Sequence, residues 1–140
     1  MSKQKIFTAG RIIALLGATL LAISAFLPWG KSAYVSVSGT GGDGLIQISI
    51  GILAFLLLFI KRITIWFPLL LGVIGLAIGI IDFAVMYDAI QSPKITEGEM
   101  GIGLYVTIGA TGVIVLGTII EIFEERNKKL KKNLAYLDDK

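Results

Sequence analysis

Four blocks of apolar residues, at about 12–28, 45–60, 66–87 and 101–123, set the organisation of this chain. Each approaches the roughly 20 helical residues needed to cross a hydrocarbon core about 30 Å thick. The pattern therefore predicts an all-α membrane protein, a four-helix transmembrane bundle. The first block ends at Leu27-Pro28-Trp29, where proline cannot continue a helix interior and tryptophan is a common interface anchor. Ile23-Ser24-Ala25 is a poor signal-peptidase site, so the block reads as a retained span rather than a cleaved leader. In the loop that follows, Ser32 to Ser38 alternates and favours a strand, and Gly39-Thr40-Gly41-Gly42-Asp43-Gly44 is turn chemistry. Asp43 is placed to cap the second helix. The loop before the fourth block holds Pro93 and a possible strand, Lys94-Ile95-Thr96, as pairing partner for 33–38. A small β element in the outside loops is thus expected over the bundle.

Beyond Phe123 the pattern changes. Leu130, Leu134 and Leu137 continue at helical spacing among charges, and Glu124/Lys128 and Glu125/Lys129 are favourable four-apart pairs. Two units result: a transmembrane domain over 1–123 and a charged helical tail over 124–140. All of the 13 Lys and Arg residues except Lys31 and Lys94 lie in the amino end, the Lys61-Arg62 loop or the tail. That asymmetry places both termini in the cytoplasm of a multi-pass protein of the cell membrane.

Composition agrees: 55% of residues are hydrophobic, only 16% are charged, and the mean hydropathy is +0.84. The pI near 9.2 does not imply nucleic acid, because the basic residues flank apolar blocks instead of forming a stripe interleaved with aromatics. The chain has no cysteine and no histidine. Cysteine-based redox relays, His-ligated haem, the usual zinc and copper sites and His-dependent nucleophiles therefore cannot be built. Neither an enzymatic activity nor a cofactor or metal is expected.

Small residues recur on the spans: Gly10, Ala14, Ala18 and Ala22 on the first, Gly72, Gly75 and Gly79 on the third, Gly109 and Gly112 on the fourth. Helices in lipid associate through such close backbone approach, within one bundle or between copies. Asp82 is the one ionisable group well inside an apolar block. At similar depth lie Ser24, Gln47, Ser49, Tyr105 and Thr107, so a polar cluster is expected there. It would serve either as a hydrogen-bonded clasp or as an outward-facing cation or proton site. Trp29, Tyr34 and Asp43 are the candidate recognition surface of the outside loop. Gly42-Asp43-Gly44-Leu45 and Gly101-Ile102-Gly103-Leu104 open the second and fourth blocks, a weak sign of two related hairpins.

With Leu27-Pro28-Trp29, Gly42-Asp43-Gly44, Asp82 and Gly103-Leu104-Tyr105 in place, the chain resembles a group of small prokaryotic four-span proteins that share these short motifs. The resemblance covers the spans and not the tail, and it implies a fold without an activity. More distantly the topology is similar to claudins, which have four spans, cytoplasmic termini and a first outside loop with a Trp and β character. Claudins carry a cysteine pair in that loop and this chain carries none, so no claudin function is transferred. The function expected is that of a non-catalytic structural or accessory subunit. Its partners would be the lipid bilayer and other membrane proteins or further copies of itself. The alternative is a small oligomeric transporter or channel using Asp82.

Overall fold

The computed structural model describes residues 8–32, 35–60, 65–92 and 98–138. The expectations for Tyr34, Lys61-Arg62 and Lys94-Ile95-Thr96 lie outside the described residues. Four helices form where the apolar blocks predict them: α1 Ala9–Ser24, α2 Gly44–Phe59, α3 Trp66–Ile90 and α4 Ile102–Asp138. Thr8 starts α1, its hydroxyl accepting from Arg11 N at 3.2 Å. Pro68 sits in the first turn of α3, where a missing N–H costs nothing. α4 continues through the tail as one helix. α3 and α4 are long and apolar enough to cross a membrane, whereas α1 and α2 are shorter apolar helices of 16 residues.

The first helix stops earlier than Pro28, at Ser24. The cause is competition for its last carbonyls. Trp29 Nε1 takes Ser24 O at 3.1 Å and Thr40 N takes Ala25 O at 3.1 Å, while the chain turns back through Phe26 and Leu27. Leu27-Pro28-Trp29 therefore leads into strand β1, Pro28–Lys31. β1 is the centre of a three-stranded antiparallel sheet, flanked by β2, Ser36–Ser38, and β3, Glu99–Met100. Gly30 pairs with Val37 on one side and with Met100 on the other. Thus the β element exists, but β2 reaches the loop before α4 only through β1, which takes Pro28 from the end of the first block and Gly30 and Lys31 from the loop beyond it.

The helices form a ring in which α1 touches α4 and α2, and α3 closes the circuit between α2 and α4. The α1–α4 seam is the most intimate. A Cβ on Gly17 would lie 2.8 Å from Ile114 N, and one on Gly117 would lie 2.8 Å from Gly10 O, so the two backbones meet directly. Ala18, Leu21, Ile50, Ala54, Ala110 and Ile114 fill the centre, and Ala14, Leu58 and Ile65 form a second cluster toward the tail end. Gly51 rests on the Ala18 and Ala22 backbone in the same way. Gly109 and Gly112 behave otherwise: a side chain on either would meet nothing within 4 Å.

The distribution of polarity is inverted relative to a bundle that folds in water. Leu16, Leu20, Leu53, Leu56, Leu70, Ile81 and Leu116 are exposed, whereas Arg11, Gln47, Thr107, Thr111, Thr118 and Glu121 are buried.

Candidate functional site

The polar side chains gather at two ends, and the ion pair lies at the end away from the expected Asp82 cluster. At the sheet end, β1 carries Trp29 into a slot between helices, where it is only 5% exposed. Gly103 and Gly39 leave room for its indole: a Cβ on Gly103 would lie 2.6 Å from the ring, and one on Gly39 2.5 Å. Trp29 is therefore an internal wedge joining sheet to bundle, and its ring is not a recognition surface. Beside it, Val37, Ser38, Asp43, Asp82 and Met86 are among the residues that line a pocket of about 170 Å³.

Asp43 occupies the first position before α2 but does not cap it with its side chain. Its backbone is already helical (φ −68°, ψ −7°), whereas a capping residue uses extended dihedrals to swing its carboxylate over the free amides. The Asp43 carboxyl instead faces that of Asp82 within hydrogen-bonding reach. Asp82 is half-buried, and its Oδ2 has no donor partner among the described residues.

The rest of the expected cluster divides by depth and face. Ser24 and Thr107 do meet, hydroxyl to hydroxyl at 2.8 Å, tying α1 to α4. Gln47 is fully buried and donates Nε2 to Gly75 O of α3 at 3.1 Å, while its Oε1 finds no partner among the described residues. Ser49 points outward and bonds back to Leu45 O at 2.9 Å. Tyr105 is exposed on the outer face of α4, edge-on to Phe83 with ring centroids 5.7 Å apart. Ser49 and Tyr105 thus stand apart from Asp82, because residues at the same depth need not share a helix face. The two hairpin openings also diverge in role, with Leu104 fully buried and Leu45 exposed.

At the tail end, Arg11 Nη2 meets Glu121 Oε1 at 2.7 Å, with 6% and 1% of the two side chains exposed. In the sequence Arg11 belongs to the basic amino end and Glu121 is the one charge in the fourth block, near its C-terminal end, so neither alone predicts the pair. One signal could have found the pair. Ala110, Ile114, Gly117 and Glu121 follow a 4-3-4 rhythm on the face that packs on α1, and Gly10 and Arg11 open that helix. Thr111 and Thr118, also on the buried side, return their hydroxyls to their own helix. Among the described residues no group of three or more metal-ligating side chains comes together.

Comparison with protein-family models, with curated proteins and with solved structures found no match.

Proposed function

We propose that this chain is a four-span integral membrane protein with both termini in the cytoplasm, acting through contacts with other membrane chains as a structural or accessory subunit. The observation that carries the membrane reading is the inverted polarity. An exterior of exposed Leu, Ile, Val and Phe around a core containing Gln47, three threonines and an Arg–Glu pair is stable in lipid and costly in water. α1 and α2 are short for a span, at about 24 Å each, a mismatch that local thinning or flanking residues absorb at modest cost. The positive-inside count sets the orientation, with the sheet outside and the Arg11–Glu121 end inside.

The accessory reading is favoured over transport by what lies between the two ends. The clusters separating the Asp82 pocket from the Arg11–Glu121 pair are Ala, Leu and Ile with backbone-to-backbone contact along α1 and α4. A proton or cation relay would need a connected run of polar side chains at that level, whereas Thr111 and Thr118 turn their hydroxyls back to their own helix and Gln47 donates to the Gly75 carbonyl. The transporter reading keeps one observation in its favour, the partnerless Oδ2 of Asp82 beside Asp43.

Since the chain has no cysteine, single cysteines report topology cleanly. Ser36→Cys should react with an impermeant maleimide on intact cells and Asn133→Cys only after permeabilisation. Function is tested by cross-linking native membranes and identifying what joins the chain. A second membrane protein in fixed ratio is expected. The accessory reading falls if only copies of this chain are recovered and reconstituted vesicles show an ion flux that Asp82→Asn abolishes.

A further inference from the structure

We infer that α4 pairs with the α4 of a second copy of this chain, in parallel, through a continuous seam that begins within the span and ends as a two-stranded coiled coil in the tail. The inference starts from where the apolar side chains of the tail lie. The face of α4 that packs into the bundle carries Ala110, Ile114, Gly117 and Glu121. Extended into the tail, that direction holds Glu125, Lys128 and Lys132. The opposite face is the one that stays apolar: Leu116 and Phe123, then Leu130, Leu134 and Leu137, the last three 59%, 54% and 66% exposed. Lipid can cover Leu116. Beyond the charged cluster at Glu124 to Lys132 it no longer can, and an apolar stripe facing water asks for another protein surface.

The spacing of that stripe says which surface. Gly109, Val113, Leu116, Ile120, Phe123, Asn127, Leu130, Leu134 and Leu137 alternate at intervals of four and three, about four heptads on one seam. In heptad terms Leu116, Phe123, Leu130 and Leu137 hold d, and Val113, Ile120, Asn127 and Leu134 hold a. Leu at d with β-branched residues at a favours two strands, and one Asn at a selects parallel, in-register pairing at some cost in stability. A foreign partner would have no need of an Asn matched to its own twin, whereas a symmetric dimer supplies that twin automatically. The open glycines fit the same geometry. Gly109 and Gly112 lie on or beside the seam with nothing opposite them, which lets two helices approach closely within the span. The charge pattern adds a signed expectation. Arg126 and Lys131 flank the seam at g and e and meet across a parallel dimer, so salt should tighten the pair by screening them. Two heptads of tail alone make a short coil, but confinement of both chains to one membrane raises their effective concentration.

The inference rests on the four-span reading only in that both α4 helices must leave the membrane on the same side. The test uses the full chain in native membranes. Oxidation should join Leu130→Cys, or Leu134→Cys, into a species of twice 15.0 kDa, while Lys128→Cys and Lys132→Cys on the far face stay single. In detergent, light scattering should give a dimer that Leu130→Glu with Leu134→Glu converts to monomer, and that Asn127→Leu turns into a mixture including larger assemblies. The bundle does not contact the tail stripe, so these variants should fold. Cross-linking independent of face, a monomeric wild type, or a tail that binds anionic vesicles with no change in mass would overturn the dimer. External labelling of Asn133→Cys would instead overturn the orientation and leave the dimer standing.

Discussion

The two ends of the bundle handle buried charge in opposite ways. At the tail end, Arg11 and Glu121 neutralise each other across the tightest helix contact in the molecule, at 2.7 Å. At the sheet end, Asp82 has no cation among the described residues, faces a second acid, and borders an open pocket. Paired opposite charges fix two helices in register. Unpaired like charges can only be tolerated where water, a proton or a cation reaches them. The difference teaches that the ionisable residue most conspicuous in an apolar run need not be the one on which the bundle depends.

The largest test of that contrast is to split the Arg11–Glu121 pair. Glu121→Leu or Arg11→Leu leaves one buried charge alone and should lower stability by about 3–5 kcal/mol, read as a drop in the detergent melting temperature. The double variant should recover most of the loss, because the pair itself contributes little beyond its own desolvation. Equal damage from single and double variants would mean that the residues act by shape and not by charge. Next in size is Trp29→Ala, which empties the slot between sheet and bundle and should cost about 3 kcal/mol. Labelling of Ser36→Cys should accelerate in the same variant as the sheet loosens, and an unchanged rate would show that the sheet stands without its wedge. The smallest effect belongs to Asp82→Asn. It removes an acid that has no cationic partner among the described residues and keeps hydrogen-bonding capacity, so stability should stay within about 1 kcal/mol of wild type. A loss as large as that of Glu121→Leu would put Asp82 on the same footing as the Arg11–Glu121 pair and erase the contrast.

Much of the helical layout was legible because each apolar block is long, uninterrupted and bounded by glycine, proline or charge. The small-residue face of α1 was legible too, since Gly10, Ala14 and Ala18 repeat every fourth residue and all three are buried. What escaped was whatever depended on partners far away in the chain. Helix α1 ends at Ser24 because Trp29 and Thr40 claim its carbonyls, and no local propensity encodes that. Arg11 and Glu121 sit more than a hundred positions apart, each with a sufficient local explanation, and only the packing of α1 on α4 joins them. The Asp82 cluster was placed by depth, which a linear count gives. Which face each residue occupies is set by the rotation of its helix, and that separated Ser49 and Tyr105 from Asp82.

One feature of α4 has mechanical meaning. The helix runs unbroken for 37 residues, about 55 Å, from a start anchored to the sheet by Gly101 N on Trp29 O at 2.8 Å. A rod of that length, gripped over its first half by α1 and α3, works as a lever between the sheet and the tail. A tilt of about 10° about the end of that grip, near Glu121, would move the far tip by about 4 Å. Force applied to a few loop residues at the sheet would thus arrive at the tail as displacement, with no change in the conformation of any element between.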